Sequence, residues 1–256
     1  MSSHKNKPTK AREGKAPSSD IRPDLVKAIK RVWPEDVIIV PIDYEESYFW
    51  DIYPGLEKAL RQITGADLAY ERKAHGELKW QDGADPTEDA PDWSEEDRSY
   101  HLFFISPKDP SFKFESDTLE PDENDVEQRV AGEGRVGCSV GISILAPYAI
   151  IKFDMMETYD SGGYANPDIE PHIFSLEGGE IDLDVHCRDF VGEEGLQVLY
   201  NLRQTISTIL TLHGLTIIPD EELVKPAPWL QPDEELATLN AMNPLTVRHA
   251  LFFHEL

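Results

Sequence analysis

The chain has little of what builds cross-linked or metal-stapled folds. Its two cysteines, Cys138 and Cys187, stand far apart without CxxC spacing, which argues against a disulfide framework and a structural zinc. Long apolar runs are missing as well. The uncharged stretch from Val136 to Ile151 is interrupted by Gly137, Gly141 and Pro147; it falls short of the about 20 residues a membrane helix needs and reads as paired strands. No apolar segment follows the first lysines, so no secretory signal and no membrane contact are expected, and the cytoplasm is the expected compartment.

Positive charge is the scarcest resource. Lys and Arg number 24 against 49 Asp and Glu, for a formal net charge of -25. Such a field opposes binding to a phosphate backbone or an anionic membrane and favours basic partners or divalent cations. Residues 1–20 are the exception, with Lys5, Lys7, Lys10, Arg12 and Lys15 against only Glu13 and Asp20. Lacking aromatic and branched apolar residues, they read as a disordered basic tail, inert and solubilising; nucleic acid is not an expected partner except through this tail. Residues 21–256 are expected to form a single α+β domain.

Along that domain, Pro23 followed by Leu25, Ile29 and Val32 predicts a helix over 23–33, and Val37 to Val40 a short buried strand. Pro54 and the Leu56, Leu60 and Ile63 spacing predict a helix over 54–64 ending at Gly65, with a strand near 67–73. The stretch 82–97 holds eight carboxylates, two prolines and no base, as an exposed loop would. Strands are expected at 100–105 and 112–115 around a Pro-Lys-Asp-Pro turn, then at 136–145 and 148–156, turning at Ala146-Pro147. Gly178-Gly179 predicts a hairpin between 170–176 and 181–187. The clearest helix is 193–213, closed by Gly214, and 233–241 and 244–254 read as short helices, the second capped by Asn243. The expected architecture is a mainly antiparallel sheet with one long helix packed on a face and short terminal helices.

Candidate chemistry concentrates in EIDLDVHCRDF, residues 180–190. On a strand, Glu180, Asp182, Asp184, His186 and Arg188 share one face. Asp182, Asp184 and His186 have the ligand types for a divalent metal, which defines the alternative reading of a metal-dependent hydrolase or nuclease. The polar series is long and includes Arg188, so a solvated sheet face describes it better, with no catalytic residue and no cofactor assigned. Gly132–Gly137 fits GxGxxG, and Gly137–Gly141 fits GxSxG around Ser139. Each lacks the strand-to-helix context its chemistry requires.

With those templates set aside, charge carries the functional reading: a soluble acidic intracellular binding protein that engages a basic macromolecular partner, as an inhibitor, an immunity-type neutraliser or an adaptor does. The residues expected to contact a basic protein are Asp85, Glu88, Asp89, Asp92, Trp93, Glu95 and Glu96, an aromatic ringed by carboxylates.

Overall fold

Helix starts are set by proline and serine. The computed structural model describes residues 21–38, 47–72, 99–121, 127–159, 172–173, 183–233 and 244–252. Helix α1 (Pro23–Val32) begins at the expected proline and buries Leu25 and Ile29. Trp33 then anchors it, its indole N–H donating to Ala250 O at 2.9 Å. Helix α2 (Tyr48–Arg61) starts six residues earlier than Pro54 suggests. Ser47 caps it, its hydroxyl accepting from Phe49 N at 3.2 Å, and Phe49 is fully buried. Pro54 therefore lies inside the helix, where a lost hydrogen bond costs about 3 kcal/mol; burial of Phe49, Leu56 and Leu60 offsets it. Gly65, at φ 79°, makes the left-handed turn into the sheet.

The sheet is built on β5 (Glu127–Ser143) and β6 (Tyr148–Tyr159), an antiparallel pair joined by residues 144–147. Strand β2 (Ala66–Arg72) pairs antiparallel with β3 (Tyr100–Pro107), which pairs antiparallel with β5. After a 3-10 turn at Pro110–Phe112, β4 (Lys113–Pro121) returns to the same edge of β5. On the far edge of β6 lie β7 (His172–Ile173), antiparallel, and later β8 (Thr216–Ile217), parallel. Strand β1 (Val37–Ile38) pairs in parallel with β9 (Gln231–Pro232) in a separate two-stranded ladder.

Period-two alternation decides what each sheet face buries. Phe103 and Ile105 of β3, Val140 of β5 and Ile151 of β6 pack with Phe49 and Leu56 of α2 and with Leu199 and Ile206 of α3 (Leu183–Leu212). On the opposite face Leu102 and Ile150 meet Leu25 and Ile29 of α1, Leu223 of α4 (Asp220–Leu223) and Leu251 of α5 (Val247–Leu251). The fold is thus mixed α+β with a mainly antiparallel sheet and a long helix across one face. Among the described residues no helix is long and apolar enough to cross a membrane.

Two expectations need correction. Residues 183–190 are helical, not a strand, and β7 pairs His172 with Glu157 and Ile173 with Met156 of β6. The 170–176/181–187 hairpin is therefore absent as drawn; its Gly-Gly turn lies outside the described residues. The break between this first helical piece and the expected 193–213 helix is Gly192, at φ 68° and ψ -178°, a backbone state in which a Cβ is strained. Alternating polarity over 181–187 mimics a strand, but tertiary context overrides a short period-two pattern. The last helix starts at Val247, later than expected, because Thr246 and His249 form a capping box, with Thr246 N donating to His249 Nδ1 at 3.0 Å.

Candidate functional site

Of the residues expected to bind a partner, Asp85, Glu88, Asp89, Asp92, Trp93, Glu95 and Glu96 lie outside the described residues, as does Asp182. Asp184 and His186 fall on the first piece of α3. The strand on which that grouping was drawn is therefore replaced by helix from Leu183 onward. Both glycine motifs lie within β5, the wrong setting for a phosphate loop or a nucleophile elbow.

The acid excess has a definite distribution. Arg22, Lys30, Arg61, Lys108 and Lys225 each sit within 4.0 Å of a carboxylate. These pairings consume bases while the carboxylates outnumber them about two to one. On the β4–β5 ladder Glu115 lies directly opposite Glu133, an arrangement that is destabilising between like charges. Lys113 Nζ at 3.0 Å and Arg135 Nη2 at 2.9 Å both turn to Glu133. The hydrogen bond from Lys113 and the charge of Arg135 hold the Glu133 carboxyl below its usual range. Glu115 is exposed and has no such partner among the described residues. Lys113 and Arg135 balance the two carboxylates in number, and Glu115 is the member of this patch left without an ion-pair partner among the described residues.

Two buried polar clusters escaped the sequence reading. Strand β3 places His101, fully buried, among the rings of Phe49, Tyr53 and Phe103 at centroid distances of 5.0, 5.2 and 4.6 Å. Its Nε2 lies 3.0 Å from Glu71 Oε1 on β2, the Tyr53 hydroxyl of α2 donates to the same oxygen, and Arg61 Nη2 reaches Oε2 at 3.2 Å. Burial pushes the Glu71 carboxyl up, but the hydrogen bonds from His101 and Tyr53 and the charges of His101 and Arg61 outweigh it, and the net direction is down. Burial first, and the Glu71 carboxylate second, raise the Tyr53 phenol above its ordinary value. The cluster ties α2 to β2 and β3 through an ionised carboxylate. The signal was present: His101 is the one imidazole in the otherwise aromatic and aliphatic run Tyr100–Ile105.

On the other sheet face the Ser139 hydroxyl donates to Asp154 Oδ2, both residues being buried. The hydroxyl of the GxSxG match is thereby committed to a carboxylate in mid-sheet. Gly137 and Gly141 have a packing explanation in place of a catalytic one. A Cβ on Gly137 would lie 2.4 Å from Ile105 O, and one on Gly141 2.9 Å from the Ile150 side chain. Among the described residues no group of three His, Cys, Asp or Glu could hold a metal ion. No protein family matches the chain, and no curated protein or solved structure gives a match.

Proposed function

We propose that this protein is a non-catalytic cytoplasmic binding protein that presents an acidic surface to a basic macromolecular partner, acting as an inhibitor, an immunity-type neutraliser or an adaptor. The observation that carries the reading is the charge: a net of -25, with several of the few bases already drawn into ion pairs and Glu115 left facing Glu133. A basic side chain docked on that rung relieves like-charge repulsion on binding, a gain that a neutral surface cannot offer. The acidic stretch holding Asp85, Glu88, Asp89, Asp92, Trp93, Glu95 and Glu96 adds long-range attraction and an aromatic anchor.

The test is capture of partners from host extract at low salt, followed by titration with the purified partner. The expected partner is basic, and its affinity falls by about tenfold or more between about 50 mM and about 500 mM salt. Glu115→Gln with Glu133→Gln weakens it further, and replacing Trp93 by Ala slows association less than it speeds dissociation. A neutral or acidic partner, or an affinity indifferent to salt, refutes the reading.

A further inference from the structure

We infer that the cleft between α1 and the β5–β6 turn is a binding site for a small organic anion with an apolar body. The cleft has a volume of about 830 Å³, within the ~300–1,000 Å³ typical of small-molecule sites. One wall is a face of α1 carrying Lys27, Ala28, Arg31 and Val32; the other is the turn Ile144–Tyr148, with Ser47 and Tyr48 at the start of α2 closing one end. The turn is held in place before any ligand arrives, since the Tyr48 hydroxyl lies 2.6 Å from Ser143 O and 2.8 Å from Ala146 O.

Lys27 and Arg31 mark the site. Both line the cleft, both are exposed, and neither has a carboxylate within ion-pair distance among the described residues. In a chain with twice as many acids as bases, two neighbouring cations without partners among the described residues stand out. Bases close to them in the chain do not share the condition: Arg22 binds Asp24 at 2.6 Å and Lys30 sits 3.8 Å from Asp36. Asp24, the one carboxylate among the named lining residues, is therefore already neutralised by Arg22. What remains is a local double positive charge above a floor of Ala28, Val32, Leu145 and Ala146. A carboxylate, sulfonate or phosphate head pairs with Lys27 and Arg31 while its apolar body covers that floor. The site is separate from the acidic rung at Glu115, so the two proposals stand or fall independently.

The probe is 8-anilinonaphthalene-1-sulfonate, an apolar anion, against its uncharged counterpart N-phenyl-1-naphthylamine, both followed by fluorescence on the full chain. Saturable binding of the sulfonate at one per chain is expected. Lys27→Gln with Arg31→Gln should weaken the sulfonate by about tenfold or more while changing the neutral dye by about twofold or less. Ala28→Trp, which fills the cleft, should weaken both dyes. Because Lys27 and Arg31 are exposed, circular dichroism and melting temperature should match the parent chain. The inference is overturned if the sulfonate binds the charge variant as tightly as the parent. It is overturned equally if the parent shows no saturable binding, or if Ala28→Trp leaves both dyes bound.

Discussion

Gly137→Ala puts a single methyl group against a backbone atom and so tests the register of the sheet. The new Cβ would sit 2.4 Å from Ile105 O and 3.0 Å from Ile105 C and from the ring of Phe104. Carbon and oxygen prefer roughly 3.2 Å or more, so strand β3 must move off β5 by about 0.8 Å at its last rung, Ile105↔Cys138. The obstacle is main chain, not the free end of a side chain, so relaxation is dear. Overpacking of this kind costs about 1–3 kcal/mol, and the smaller unfolded-state entropy of alanine returns about 0.4–1 kcal/mol, leaving a net loss of about 1.3 kcal/mol at mid-range. In urea, with a slope of about 2–3 kcal/mol/M, the midpoint falls by about 0.4–0.7 M at unchanged slope. Gly55→Ala is the matched control. Its Cβ meets His213 Nε2 only at 3.4 Å, and alanine in a helix gains about 0.5–1 kcal/mol over glycine. A Gly137→Ala midpoint within about 0.5 kcal/mol of the parent, or two variants that destabilise alike, would refute the reasoning.

Ile206→Ala and Leu202→Ala remove buried side chains from the helix face that packs on the sheet and should each cost about 2–4 kcal/mol in the same urea assay; near-neutral values contradict the packing. Ser47→Ala removes the cap that accepts from Phe49 N and should cost about 1 kcal/mol, read by thermal melting. Burial, and then the nearby Arg248 charge, lower the His249 pKa from 6.5. The unfolded chain therefore takes up this proton first as pH falls below about 6.5, and stability is lost in that window; His249→Gln should flatten that part of the stability–pH profile. Glu71 has its folded value lowered from 4.5, so its contribution is complete above about 4.5 and is lost as pH falls through the folded value; Glu71→Gln should remove that acid-side step.

What the sequence made legible was periodicity. Leu199, Leu202, Ile206 and Leu210 announced the core face of α3, and Val136 to Ile144 announced β5; both sets are buried. Short or competing patterns were not legible. Residues 181–187 alternate like a strand, yet Leu183 onward is helical up to Gly192; seven residues of alternation are too short a pattern to distinguish strand from helix. Pro54 looked like a start because a proline at the first turn is favourable, while the capping role of Ser47 was masked by the acidic residues before it. The clusters Glu71–His101–Tyr53 and Ser139–Asp154 join residues distant in sequence, and no local pattern encodes which strand lies beside which. Lys27 and Arg31 were visible as helix positions; their lack of ion-pair partners among the described residues is a fact of three dimensions.

Strands β3 and β4 use one edge of β5 in two instalments. Between the rungs Ile105↔Cys138 and Lys113↔Arg135, the chain advances from 105 to 113 while its partner retreats only from 138 to 135. The surplus chain makes the exposed detour around Lys108–Ser111 and rejoins at the buried Phe112. Each instalment is pinned by its own contacts, the first by Ser106 Oγ donating to Val136 O at 2.8 Å, the second by Phe114 seated over Gly134. A residue added to or deleted from the tip of the detour shifts neither ladder's phase, whereas the same change within either strand turns every following side chain to the opposite face. The detour thus acts as an expansion joint, where length can vary without error spreading into the sheet.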